Sequence, residues 1–357
     1  MPYFTQKKSL YYNDVNLIAR PCATDFANAL GALSRKNIPQ ELNRIFVSPM
    51  QAVVGKKLAQ IASARGLSVC LHRFPSTHPV LPDYGSVQGQ LDIFHSLPST
   101  ENVFVAVGLE DIDRVKTLMA NGVTRFLIDI ANGYMDVAIA GCVKRMLDCG
   151  TINRLMVGNV HSDLGVYQLV KQLSFLPVPL DIRVGIAGGS PCSTSDSTGF
   201  NRGQITEIQE CSEWRKLIAE EDLEKYKDRE VRIIADGGIK HSGYASKAFG
   251  AGADGVMLGG YFSRAQEAET HISGDGTYWG GASEKQQVIC KGKASRHSEG
   301  KELMIDEPLV PMDKLIDDLW GGISSAVSYG GFNRLKDFIN QGVFEIKQNS
   351  LPPKRKG

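Results

Sequence analysis

Cys192 sits in the run Gly188-Gly189-Ser190-Pro191-Cys192-Ser193-Thr194, flanked by small and hydroxyl residues. A Gly-rich loop of this kind leaves a thiol partly exposed and close to backbone N–H donors, conditions that favour a nucleophilic thiolate; an inert buried thiol is the alternative. Two glycine pairs, Gly237-Gly238 behind Asp236 and Gly259-Gly260, are of a second chemical kind. Without side chains they let backbone N–H groups approach an anion, and a following helix N-terminus adds its dipole, so together they read as a phosphate site; tight turns are the alternative. Asp236 then accepts hydrogen bonds from sugar hydroxyls or caps the next helix. Asp129 in IDIANGY, Asn159 and the pair His72-Arg73 point to the same region, or else order loops by hydrogen bonding. Cys70 falls in a strand and Cys142, Cys149 and Cys211 in helices, where buried structural thiols are the default. The seven cysteines contain no C-x2-C pair and the seven histidines no H-x3-H spacing, which argues against a disulfide framework and a zinc site.

The elements that must position these residues follow one rhythm. Eight short apolar runs, RIFVSPM (44–50), LSVCLHR (67–73), VFVAVG (103–108), RFLIDIA (125–131), RLMVGNV (154–160), DIRVGIA (181–187), VRIIADGG (231–238) and DGVMLGG (254–260), alternate with amphipathic stretches. Near-continuous apolarity means strands covered on both faces. Val54, Leu58, Ile61 and Ala62, and again Ile112, Val115, Leu118 and Met119, recur at helical spacing. Eight consecutive βα units predict a (β/α)8 TIM barrel, an α/β fold whose closure removes sheet edges and whose chemistry lies at the carboxyl ends of the strands. Residues 1–43 read as an N-terminal arm, 44–345 as the barrel and 346–357 as a flexible tail. Long loops follow the sixth run (188–204) and the eighth (261–311), and loops of that length are usually functional. The segment after Pro311 resumes helical spacing and supplies the last barrel helix.

Forty Lys and Arg against 39 Asp and Glu give a net charge of +1, which offers no global field for a nucleic-acid backbone or an anionic membrane. No apolar stretch reaches membrane-spanning length and the start MPYFTQKKSL lacks a secretory core, so a cytoplasmic protein is expected.

GIAGGSPCST, IADGGIKHSG followed by KAFGAGADGVMLGG, IDIANGY, GNV and the late RHSEGKE together resemble the IMP dehydrogenase / GMP reductase family, over about residues 10 to 345. The resemblance implies a homotetrameric barrel in which Cys192 attacks C2 of a purine nucleotide to form a covalent thioimidate. In the dehydrogenase branch IMP then yields XMP with NAD as oxidant; in the reductase branch GMP loses ammonia and NADPH, or NADH, delivers hydride to give IMP. Only about 29 residues separate Arg73 from Val103, too few for the CBS modules that dehydrogenases carry there. Arg296-His297-Ser298-Glu299-Gly300 looks like the reductase Arg-Ala-Ser-Glu-Gly, and by that match Glu299 and Thr194 form the relay that protonates departing ammonia. The same resemblance puts Ser190, Gly237, Gly238, Gly259 and Gly260 on the phosphate, Asp236 on the ribose and Gly280-Gly281-Ala282 against the base. It puts Asp129, Arg73, Arg296, Ser298 and Gly300 near the cofactor. An NADPH-dependent reductase is therefore the reading. A CBS-less IMP dehydrogenase, a diverged reductase acting on a deoxy- or modified-purine nucleotide, and a non-catalytic nucleotide-binding barrel are its alternatives, with a flavin-dependent barrel weaker still.

Several positions depart from the family pattern. The usual Gly-x-Gly-Pro-Gly-Ser loop is Gly185-Ile186-Ala187-Gly188-Gly189-Ser190, which puts in doubt any K+ held by the carbonyls of Gly185 and Ala187. Gly280-Gly281-Ala282 replaces Gly-Met-Ser, Gln51 replaces an Asp, and Arg73 replaces a Lys, keeping charge but changing geometry.

Overall fold

The computed structural model describes residues 8–20, 38–218, 226, 228–294 and 298–347. Eight parallel strands close into a barrel: β1 (Ile45–Val47), β2 (Ser68–Leu71), β3 (Val103–Val107), β4 (Arg125–Ile128), β5 (Arg154–Val160), β6 (Leu180–Val184), β7 (Val231–Asp236) and β8 (Gly255–Leu258). Each lies within or across one of the eight apolar runs, and β1 pairs with β8 through Phe46 and Met257 to complete the ring. Helices such as Lys56–Ala64 and Ile112–Ala120 cover the outside. Val54, read with the first of these, precedes it, and Cys149 lies just past the helix Asp136–Leu147 rather than in it. The 18-residue helix Met312–Tyr329 is the last barrel helix, and no described helix is long and apolar enough to cross a membrane.

Strand alternation explains how an apolar wall carries polar chemistry. Val103, Val105 and Val107 face the helices while Phe104 and Ala106 face inward, and the inward set Phe46, Cys70, Phe104, Ala106, Leu127, Met156, Ile234 and Met257 forms its own buried cluster. That cluster is a plug across the middle of the barrel. Above and below it the inward positions are charged: β4 reads Arg125, Leu127 and then Asp129, and β7 reads Arg232, Ile234, Asp236. The barrel therefore has a polar layer at each end and an apolar one between.

Two short strands outside the barrel pair with each other. Val15–Leu17 pairs antiparallel with Phe344–Ile346, and the Lys347 amide donates to the Asp14 carbonyl. The 261–311 stretch contains a hairpin-like pairing of Thr277–Trp279 with Glu302–Met304 and the helix Glu284–Lys291.

Candidate active site

At the carboxyl ends of the strands the chain encloses a cavity of about 760 Å³. Its wall includes Cys192, Thr194 and Glu299, the loop from Gly185 to Pro191, Asp129, Arg73, Asp236, both glycine pairs, and Gly280-Gly281-Ala282. Ser298 and Gly300 instead line an adjoining cavity of about 480 Å³ with Lys285 and Glu302. Arg296 lies outside the described residues.

The Cys192 thiol donates to Thr194 Oγ1 at 3.2 Å, and that hydroxyl donates to Glu299 Oε2 at 2.9 Å. The backbone makes this contact reproducible. Glu299 is pinned on both sides, its carbonyl accepting from the Ser193 amide and its amide donating to the Ala282 carbonyl. Gly300 bridges both Cys192 and Ser283, and a Cβ there would lie 2.8 Å from the Ser283 nitrogen. The resemblance puts Gly300 near cofactor; its backbone here stitches the insertion to the cysteine loop. Cys192 is partly exposed, whereas burial pushes the thiols of Cys70, Cys142, Cys211 and Cys290 up and so keeps them protonated at neutral pH. Cys22 is outside the described residues.

The glycines stand where chains touch. Gly237 has φ +97°, and a Cβ on it would lie 2.8 Å from the Gly188 carbonyl carbon, so the end of β7 and the loop after β6 approach backbone to backbone. A Cβ at Gly259 would lie 2.6 Å from the Tyr278 hydroxyl, which reaches over to Met50. One expectation needs correction. The helix Ser242–Ala251 starts four residues beyond Gly238 and does not line the cavity; the short 3-10 turn Phe262–Arg264, two residues after Gly260, opens there instead.

Asp236 and Asp129 are held by a residue that motif reading passes over. Arg183, on the inner face of β6, donates to Asp236 Oδ2 from Nε and Nη2 at 3.1 and 2.9 Å and to Asp129 Oδ1 from Nη1 at 3.0 Å. Burial alone would lower its pKa, but the two carboxylates outweigh that and raise it, so the guanidinium stays charged. Asn159 adds a hydrogen bond to Asp236 Oδ2 at 2.9 Å, leaving the other carboxylate oxygen for a ligand. Asn159 also donates to the Gly185 carbonyl at 2.8 Å, and Ala187 adopts φ +62°. Among the described residues no cluster of three His, Cys, Asp or Glu could hold a metal. Lys240, inside the IADGGIKHSG motif but given no role there, and Tyr278 also line the cavity. The signal for Lys240 was its place two residues after Gly237-Gly238.

Arg73 lines the cavity with its guanidinium on the Asp129 carbonyl at 3.0 Å and 5.2 Å from the centre of the Phe74 ring. His72 turns away from the mouth. It is buried, and desolvation lowers its pKa to about 4, so it is neutral. Gln51 is also buried, accepting from Gln286, whose own amide oxygen accepts from the Trp279 indole at 2.9 Å.

A family model described as IMP dehydrogenase / GMP reductase domain matches residues 9–351. Among curated relatives, a protein named GMP reductase from Buchnera aphidicola subsp. Acyrthosiphon pisum (strain Tuc7) is 32% identical, with 68% of each chain covered. Another of that name from Photobacterium profundum is 29% identical over 84% of this chain and 82% of its own. A third, from Onchocerca volvulus, is 27% identical over 84% and 79%.

Proposed function

The chain belongs to the IMP dehydrogenase / GMP reductase family, and from that premise we propose that it is a cytosolic, homotetrameric GMP reductase converting GMP to IMP and ammonia. The observation that carries this reading is the unbroken donor chain from the Cys192 thiol through Thr194 to Glu299. In the direction of those hydrogen bonds, the thiol proton passes to Thr194 as the Thr194 proton passes to Glu299 Oε2. The resulting thiolate adds to C2 of the purine, and the same proton returns along the chain to the departing amino group, which leaves as ammonia. An amino nitrogen is a poor leaving group, so a proton delivered in the transition state is what the step requires. Sulfur both attacks and leaves readily, splitting one substitution into two easier steps through a thioimidate.

In this reading the nucleotide phosphate sits against Ser190, Gly237, Gly238, Gly259 and Gly260, the ribose on the free oxygen of Asp236, and the base against the backbone of Gly280-Gly281-Ala282. Binding energy from phosphate and ribose holds C2 against sulfur. NADPH, when bound, would supply a hydride to C2, and the Cys192 sulfur would leave as the thiolate. The residues present fit such a group: the Arg73 guanidinium and Phe74 ring form a flat cationic and aromatic edge beside Asp129. The segment Ser298-Glu299-Gly300 borders both adjoining cavities, giving room for a dinucleotide beside the substrate. The 261–311 insertion acts as the flap that brings Glu299 to the thiol.

The test is the loss of reduced-nicotinamide absorbance with GMP, dGMP, IMP and related purine nucleotides, each with NADPH and NADH. Oxidation of NADPH with GMP and release of one ammonia per turnover is expected. Reduction of NAD by IMP with no response to GMP would assign the dehydrogenase branch, and binding without turnover would leave a nucleotide-binding barrel.

A further inference from the structure

The amino ends of the barrel strands enclose a second cavity of about 720 Å³ that shares no residue with the mouth. Six arginines line it, Arg44, Arg65, Arg125, Arg154, Arg232 and Arg334. Four are committed. Arg154 and Arg232 each make two hydrogen bonds to the fully buried Asp181, with Arg154 also on Glu230, while Arg44 pairs with Glu41 and Arg65 with Asp313 and Asp317. Burial pushes the Asp181 carboxyl up, and the two guanidinium groups more than offset this, so it stays ionised. The Arg154, Asp181 and Arg232 grid is complete in itself.

Arg125 is different. Its Cα is the cross-strand partner of Arg154, and among the described residues its side chain has no hydrogen-bonded or ion-paired carboxylate. Burial lowers its pKa, and Arg154 and Arg232 add to this against the pull of Asp181 and Glu101, the last of which also lines the cavity without a hydrogen bond to it. Arg334, exposed at the rim, likewise has no partner among the described residues. A device serving stability alone would gain nothing from an unpaired guanidinium held against its own kind. An anion carrying several charges would join them, since each planar fork matches phosphate oxygens two at a time.

We propose that this floor cavity is a binding site for a compact polyphosphate, free or as the triphosphate of a nucleotide, held by Arg125 and Arg334 and backed by Arg154 and Arg232. The apolar plug from Phe46 to Met257 separates it from the mouth, so it is a site of its own.

The test is titration calorimetry of the full chain with inorganic tripolyphosphate at low ionic strength, alongside Arg125→Gln and Ser190→Asp, the latter placing a negative charge in the mouth. The proposal expects binding to the parent and to Ser190→Asp within twofold of each other, and binding at least tenfold weaker to Arg125→Gln, whose turnover stays at the parent level. Tripolyphosphate should also raise the melting temperature of the parent more than that of Arg125→Gln. If Arg125→Gln does not fold, Arg334→Gln at the exposed rim should show the same weakening. Absence of binding, equal affinity for the arginine variant, or loss of binding in Ser190→Asp overturns the proposal, the last because the anion was then in the mouth. A parallel titration with ATP separates the two sources, tighter binding than tripolyphosphate marking a nucleotide.

Discussion

The Thr194 hydroxyl donates to the Glu299 carboxylate at 2.9 Å across 105 positions of sequence. If that pair moves the proton, removing either end should slow chemistry and spare binding. Thr194→Val and Glu299→Gln are each expected to lower kcat for GMP by about 10²- to 10⁴-fold, the usual worth of a positioned proton donor, with KM within a few fold. Because the two act as one relay, the double variant should lose little more than either single one. Cys192→Ala should abolish turnover and retain nucleotide binding by calorimetry. A relay variant with parent kcat would remove Glu299 from the mechanism.

Arg183 is the only described side chain that bridges Asp129 and Asp236, and both carboxylates are mostly buried. Arg183→Met keeps much of the volume and leaves Asp236 with no cation and Asp129 with only the longer contact to Arg73 at 3.8 Å. The expected loss is roughly 3–5 kcal/mol, the range for breaking a buried pair on one side. Urea denaturation should show it as a lower midpoint with unchanged m. Arg183→Lys, which keeps the charge but not the fork, should recover part of the stability and less of the nucleotide affinity.

The eight strands are legible in the sequence because their helix-facing positions are apolar and the middle inward positions are apolar too, and the residues just past them are legible because a barrel of this kind works at those ends. Arg183 is harder to see. In LDIRV, Leu180, Ile182 and Val184 face the helices, so Asp181 and Arg183 must face the barrel interior, yet one belongs to the floor and the other to the mouth. Period-two alternation announces two buried charges, but a single strand cannot say which strands supply their partners. The meeting of Thr194 with Glu299 is in the same position. Spacing says nothing of it, and only the resemblance of the RHSEG segment does, because the contact depends on how the insertion folds back onto the cysteine loop through Gly300.

Two buried acids should give stability a pH slope. Burial raises the Glu207 carboxyl from the ordinary 4.5 to about 8 and that of Glu269 to about 7, and each has an oxygen with no hydrogen-bond partner. The folded chain thus binds protons that the unfolded chain has released, so their contribution is present at low pH and lost as pH rises towards 8. His72, neutral in the fold down to about 4, acts in the opposite sense, but only below about 6.5. Between pH 6.5 and 8 the two acids together should cost about 2 kcal/mol. Chemical denaturation at several pH values should show that decline, and Glu207→Gln with Glu269→Gln should flatten it. A parent slope surviving both substitutions would place its source elsewhere.

Ala187 holds φ at +62° in the loop that carries Cys192, at the position where the family loop has glycine. A left-handed backbone costs a residue with a Cβ about 1–2 kcal/mol, because the Cβ crowds the following carbonyl oxygen. Ala187→Gly removes that crowding and at the same time frees the unfolded chain, which takes back part of the gain. The net expectation is a stabilisation of about 0.5–1 kcal/mol, read as a higher denaturation midpoint. The hydrogen bond from Asn159 to the neighbouring Gly185 carbonyl does not involve the substituted side chain and should hold the loop in place. Turnover should therefore stay near the parent value while stability rises. If stability falls instead, the methyl group of Ala187 contributes packing in the mouth that outweighs its strained backbone.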